Sequence, residues 1–345
     1  MTLPTRPLGT SGLEITKVGF GAWAIGGGGW AFGWGPQDDA ESIATMRHAL
    51  ELGVNWIDTA AVYGLGHSEE VVGRLLHDLP ANDRPLVFTK CGLVWDEGDR
   101  MADPRRTLEP DSIRREAEAS LRRLGVERID LYQFHWPDET GTRVEDSWQA
   151  MVRLTEQGKV RAIGVSNFDV ALLARCEAIR QVDSLQPPFS LIRRDVAGAG
   201  REIPWSAEHG TGVIAYSPMQ SGLLTDGFTA ARVAALARDD WRRRSAQFQA
   251  PNLTRNLALR DALKPIARRH ATTASAVAVA WTLAWPGVSG AIVGARTPDQ
   301  VDGWSGAARL ELTAADLEEI AAAIVRTGAG SGPVRPAMSG VTGRR

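Results

Sequence analysis

Short apolar runs at residues 18–20, 55–57, 86–89, 131–134, 161–165, 184–186, 212–215 and 290–293 recur along the chain, with amphipathic stretches between them. Such runs read as buried strands, and apolar residues at helical spacing mark the stretches as helices. Examples are ESIATMRHALELG (41–53), SEEVVGRLLHDL (68–79), VEDSWQAMVRLTEQG (144–158) and DVALLARCEAIRQ (169–181). The stretch from Asp111 to Gly125 opens on a polar capping residue and closes on glycine, as helices commonly do. Eight alternating units without a break in composition predict an α/β fold, a closed parallel (β/α)8 TIM barrel, rather than two domains. The length of 345 residues suits a barrel of about 250 residues with insertions.

Three segments depart from a bare barrel. Residues 1–15 are turn-rich and predict a hairpin closing the barrel bottom, and the stretch from Ser217 to Asn256 is longer than an ordinary connection. Long loops in compact domains are usually functional. An extra helix follows the last strand, and the Gly/Pro/Ser-rich tail at 327–345 predicts a flexible, disordered end to a single domain at 1–326. A net charge of −2 gives no electrostatic case for nucleic acid or an anionic membrane. The apolar run from Ala274 to Trp285 is too short to span a bilayer, and the N-terminus lacks a signal-peptide core. Two cysteines, Cys91 and Cys176, fit a reducing compartment, so a cytoplasmic protein is expected. No sequence feature sets an oligomeric state.

Chemistry in a parallel barrel collects at the C-terminal ends of the strands. Those ends carry Asp58, Lys90 and His135, and Tyr63 lies in the loop beyond Asp58. Only four of the 39 basic residues are lysines, so Lys90 fits a specific requirement for a compact ammonium. A phenol titrates near pH 10 on its own, and a nearby ammonium held by a carboxylate lowers that value. The four residues therefore make a proton-transfer set. Cys91 reads as a core residue beside it, and no spacing resembles a metal site. The glycines at 26–29 lack the following helix that a dinucleotide fingerprint needs.

The segment GVNWIDTAAVYGLGHSEEVVGRLL (53–76) closely resembles the first signature of the aldo-keto reductases, with Asp58, Tyr63, Gly64, Ser68, Glu69 and Gly73 in place. The resemblance continues through VFTKCG (87–92), DLYQFHWPD (130–138), VRAIGVSNF (160–168), YSPMQSGLL (216–224) and VGARTPDQV (293–301). It implies a catalytic tetrad of Asp58, Tyr63, Lys90 and His135, in which Tyr63 protonates a carbonyl oxygen as hydride arrives from a nicotinamide. Lys90, paired with Asp58, would lower the Tyr63 pKa, and His135 would orient the carbonyl. The resemblance further implies that Ser166, Asn167 and Gln186 hold the carboxamide and that Tyr216 stacks on the nicotinamide ring. It places Ser217, Met219, Gly222 and Leu223 along the pyrophosphate, and Gly294, Arg296, Thr297 and Gln300 at the adenosine. Pairing of Arg296 with a 2′-phosphate would make NADPH the cofactor, with NADH as the alternate.

Met219 stands where leucine is usual, Phe189 where tyrosine is often seen, and Trp304 where asparagine is common near the adenine. Trp23, Trp30, Trp34, Trp95 and Trp136 fall in the loops above strands one, three and four. Trp23, Trp95 and Trp136 are the expected substrate-pocket residues, whereas Trp281 and Trp285 are expected in the core. Aromatic walls suit a small-molecule carbonyl or alcohol substrate with a hydrophobic or planar body. The expected activity is NADPH-dependent reduction of an aldehyde or ketone. An NAD(P)-dependent alcohol or sugar dehydrogenase, and a nicotinamide-binding redox-sensing subunit, are the alternatives.

Overall fold

The computed structural model describes residues 3–237 and 240–336. All eight expected strands form, as β1 (Val18–Gly21), β2 (Trp56–Asp58), β3 (Leu86–Cys91), β4 (Ile129–Phe134), β5 (Val160–Ser166), β6 (Ser184–Gln186), β7 (Gly212–Tyr216) and β8 (Val288–Gly294). They pair in parallel around a closed barrel in sequence order, with β8 against β1. Helices α1 (Asp39–Glu51), α2 (His67–Asp78), α3 (Pro110–Leu124), α4 (Val144–Glu156), α5 (Val170–Glu177) and α6 (Glu202–Glu208) follow β1 to β6. After β7 come α7 (Ala230–Ala234), α8 (Asn252–Arg269) and α9 (Ala274–Leu283), and after β8 come α10 (Pro298–Ser305) and α11 (Ala314–Thr327). The α3 boundary shifts slightly from the expected one. Glu109 precedes it, Pro110 occupies its first turn, and Gly125 ends it in the left-handed conformation, where glycine costs least.

Two separate apolar layers result from the strand alternation. One alternate set, including Ile57, Val87, Tyr132, Phe134, Ile163 and Val213, packs outward against the helices. Trp56, Phe88, Leu131, Ala162, Ile214 and Ile292 fill the barrel interior with Leu8, Leu13 and Ile15. Those last three belong to the N-terminal hairpin, in which Thr5–Pro7 pairs with Glu14–Thr16, so the hairpin plugs the bottom as expected. Gly19 makes room for the largest plug residue: a Cβ there would stand 2.0 Å from the Trp56 ring. One step further up the same inward face, two residues beyond Trp56 and Phe88, come Asp58 and Lys90. The same period brings Gln186, Tyr216 and Gly294 inward at their strand ends.

Part of the tail is ordered. Ala329 is buried, Arg194 donates to its carbonyl through Nη1 and Nη2, and Ser331 bonds to Arg194 and to Asp195. Residues 329–332 thus lie against the loop after β6, and residues 337–345 of the expected flexible tail lie outside the described residues. Trp281 and Trp285 are buried, as expected. Among the described residues no helix is long and apolar enough to cross a membrane.

Candidate active site

A cavity of about 930 Å³ opens at the C-terminal end of the barrel, within the size range of small-molecule sites. At its floor Lys90 Nζ donates to Asp58 Oδ1 at 2.5 Å, to the Thr59 carbonyl at 2.8 Å, and to the Tyr63 hydroxyl at 3.5 Å. The Lys90 and Asp58 side chains are 0% and 3% exposed. The His135 ring stands edge-on to Tyr63 with centroids 5.6 Å apart. All four tetrad residues thus converge. Burial lowers the Lys90 ammonium and raises the Asp58 carboxyl, each opposed by the partner's charge. Burial, then the charges of Lys90 and Arg106, hold the His135 imidazole well below its usual pKa, so it is neutral at pH 7. Burial, then the Asp58 charge, pushes the Tyr63 phenol well above its ordinary value. That direction is the reverse of the lowering expected from Lys90 alone, because closing the barrel removes the water that would solvate a phenolate. The consequence is a phenol that keeps its proton.

The Tyr63 loop is held by backbone contact. Gly64 has a φ of 64°, and a Cβ there would meet the Gly26 carbonyl at 2.4 Å; one at Gly26 would meet the Gly64 nitrogen at 2.6 Å. Gly26 and Gly64 therefore let the β1 loop lie against the Tyr63 loop. Ser68 donates to the Ala22 carbonyl at 2.8 Å and shares a hydrogen bond with Thr59, closing the same contact. Glu69 is fully buried behind the barrel wall, taking bonds from Thr89 at 2.5 Å and Arg123 at 2.7 Å. Cys91 is buried and its thiol is pushed well up by burial, which makes it the core residue expected.

Of the residues expected to hold a dinucleotide, Ser166, Asn167, Gln186, Tyr216, Ser217, Met219, Gly222, Gly294, Arg296 and Gln300 line the cavity. Ser217, Gln220 and Ser221 have φ values of 56°, 47° and 54°, and non-glycine residues in that region tend to cluster at functional sites. The Tyr216 hydroxyl donates to Asn167 Oδ1 at 2.9 Å, and Asn167 Nδ2 donates to the His135 carbonyl at 2.9 Å. This network ties the β4, β5 and β7 ends together around the cavity beside Tyr63. Gln186 does more than the resemblance implies, because its Nε2 donates to Asp58 Oδ2 at 2.9 Å.

Three of the expected side chains stand outside the cavity lining. Leu223 is fully buried in the core, and Thr297 caps α10; neither lines the cavity. Trp95 packs against the Trp30, Ala60 and Val62 cluster instead of facing the cavity. Trp23, Trp30, Trp34 and Trp136 do line it. Trp304 is largely buried and lines the cavity.

Sequence reasoning missed the contribution of the long segment after β7. Trp241 stacks on Trp23 with centroids 5.2 Å apart, and Trp23 in turn lies 6.0 Å from the Tyr63 ring and nearly parallel to it. Trp34 meets both indoles edge-on, and the Arg242 guanidinium covers Trp34 at 4.6 Å. The DDWRRRS stretch (239–245) was the available signal, a tryptophan among arginines inside a loop. Arg106 was missed as well; its guanidinium lies 4.3 Å over the Trp136 ring and pairs with Glu139 at 2.5 Å.

A parallel barrel with a buried Lys–Asp pair under a protonated phenol, at the floor of a large cavity, defines a carbonyl–alcohol oxidoreductase site. The comparisons agree. The model of the Aldo/keto reductase family matches residues 17–325. Aldo-keto reductase YhdN of Bacillus subtilis is 34% identical over 313 residues, covering 90% of this chain and 90% of that protein. The NADH-specific methylglyoxal reductase of Escherichia coli is 34% identical over 333 residues, covering 93% and 99%. The structure of the glycerol dehydrogenase AKR11B4 from Gluconobacter oxydans superposes with a TM-score of 0.84 at 36% identity, covering 95% and 97%. The chain belongs to the aldo/keto reductase family. It is an NAD(P)H-dependent oxidoreductase that interconverts carbonyl compounds and alcohols.

Proposed function

We propose that the chain works mainly as a reductase of aldehydes and ketones, with Tyr63 as the general acid. The observation that carries this reading is the Lys90 ammonium lying between the Asp58 carboxylate and the Tyr63 hydroxyl at the cavity floor. When bound, the reduced nicotinamide supplies hydride to the carbonyl carbon. Tyr63 gives its proton to the carbonyl oxygen as negative charge develops there, and general acid catalysis of this kind contributes about 10²–10⁴-fold. Lys90 stabilises the resulting phenolate, the Thr59 carbonyl and Asp58, itself held by Gln186, keep Lys90 in place, and neutral His135 orients the carbonyl by a hydrogen bond. A phenol resting with its proton suits the reductive direction.

Ser166, Asn167 and Gln186 hold the carboxamide edge, and Tyr216 takes the ring face. Ser217, Met219 and Gly222, with the backbone of Leu223, follow the pyrophosphate. Gly294, Arg296 and Gln300, with the backbone of Thr297, take the adenosine. NADPH is the proposed reductant and NADH its alternate, the latter supported by the name of the Escherichia coli relative. The substrate pocket combines Trp23, Trp136 and the Trp241 and Trp34 indoles, which suits a compact carbonyl compound with an apolar or planar body. A cytoplasmic setting is supported by two buried free cysteines.

Absorbance loss of NADPH and of NADH with a panel of aldehydes and ketones tests this reading. Turnover that Tyr63→Phe abolishes is expected. The glycerol dehydrogenase relative favours a second reading, the same site run as an alcohol dehydrogenase. Faster turnover of alcohols with the oxidised nucleotide at pH 7 would select it. Nucleotide binding with no turnover in either direction would select the redox-sensing alternative.

A further inference from the structure

We propose that Gln37 is a specificity-determining residue: it locks the Arg296 guanidinium onto the loop after β1, so that the chain accepts NADH and NADPH with little discrimination. This rests on the reading that a nicotinamide dinucleotide occupies the cleft.

A phosphate monoester is gripped best by two N–H groups on one edge of a guanidinium, either Nε with Nη2 or Nη1 with Nη2. In Arg296 each of the three nitrogens already donates once, so three of its five N–H groups are engaged. Nε donates to Gln37 Oε1 at 2.7 Å, Nη2 donates to the Pro36 carbonyl, and Nη1 donates to the Trp34 carbonyl at 3.3 Å. The side edge has lost its single Nε–H to Gln37, and the end edge shares a nitrogen with each of the two carbonyl contacts. A two-pronged hold on a 2′-phosphate through Nε and Nη2 therefore breaks the bond to Gln37, and one through Nη1 and Nη2 must fit a guanidinium whose orientation the three existing bonds fix.

Gln37 closes the lock from the other side, since its Nε2 donates to the Arg296 carbonyl at 3.0 Å. The Arg296 amide is itself bonded to Gln300 Oε1 at 2.9 Å, so backbone and side chain are both held. The acceptors are rigid, because Trp34 of the same loop is wedged edge-on against Trp23 and Trp241 beneath Arg242. Two other arginines, Arg242 and Arg232, line the same cavity. Arg242 is committed to Asp240, at 3.0 Å through Nε and 2.6 Å through Nη2. Arg232 projects from α7 beside Phe228.

Two charge-assisted hydrogen bonds made afresh correspond to about a hundredfold or more in affinity, whereas bonds exchanged for existing ones leave under about tenfold. Quenching of tryptophan fluorescence in the full chain gives Kd for NADPH and NADH. Displacement by adenosine 2′,5′-bisphosphate and by 5′-AMP isolates the 2′-phosphate contribution. The expected wild-type preference for NADPH is under about tenfold. Gln37→Ala, which frees Nε, raises NADPH affinity about tenfold with NADH unchanged, and Gln37→Glu, which holds the guanidinium harder, lowers it. A wild-type preference above about a hundredfold overturns the proposal, whether Arg296→Ala or Arg232→Ala removes it. So does an unchanged ratio in both Gln37 variants. Failure of either nucleotide to bind at all refutes the functional reading instead.

Discussion

Lys90→Met and Tyr63→Phe separate what the buried ion pair does for the fold from what it does for the reaction. Lys90 Nζ and Asp58 Oδ1 are 2.5 Å apart. At an effective dielectric of about 20 their attraction is about 7 kcal/mol, most of it offset by taking both charges out of water. Removing the ammonium alone leaves the Asp58 carboxylate buried with the Gln186 amide as its side-chain donor. A stability loss of about 3–5 kcal/mol follows. Tyr63→Phe removes a hydroxyl in long contact, 3.5 Å, with Lys90. Stability should then move by less than about 1 kcal/mol, while the reduction rate falls about 10²–10⁴-fold, or about 3–5 kcal/mol of barrier. Urea denaturation and single-turnover nucleotide oxidation read the two quantities independently. The double variant Lys90→Met/Asp58→Leu should recover stability to within about 2 kcal/mol of wild type without recovering activity. Wild-type kcat in Tyr63→Phe, or a wild-type urea midpoint in Lys90→Met, would refute the reasoning.

Three further outcomes are expected. Gly19→Ala drives a methyl into the Trp56 ring and should cost at least about 1–3 kcal/mol; an unchanged Tm would contradict the packing of the barrel floor. His135 is held neutral by burial, then by the charges of Lys90 and Arg106. Below pH about 6.5 the unfolded chain takes up this proton first, so stability declines as pH falls through that range, and His135→Gln should flatten the decline in urea midpoints. An identical slope in the variant counts against a neutral imidazole. Trp241→Ala removes the stack on Trp23 and the edge contact with Trp34. Aromatic pairs contribute about 0.5–1.5 kcal/mol each, so nucleotide release in stopped flow should accelerate about tenfold, and a wild-type rate would show that this segment does not hold the cleft shut.

Local periodicity and spaced motifs in the sequence determined the eight strands, their inward faces, and the convergence of Asp58, Tyr63, Lys90 and His135. A strand alternates every two residues whatever its neighbours, so the inward set and the residues at each strand end follow from the chain order. Tertiary structure alone decided the contacts between distant segments. Gln37 meets Arg296 across 259 residues, and Gln186 meets Asp58 across 128. The Trp23–Trp241 stack and the docking of residues 329–332 are of the same kind. The direction of the Tyr63 shift belongs with them, because desolvation is set by the closed barrel as a whole and no pattern within one segment encodes it.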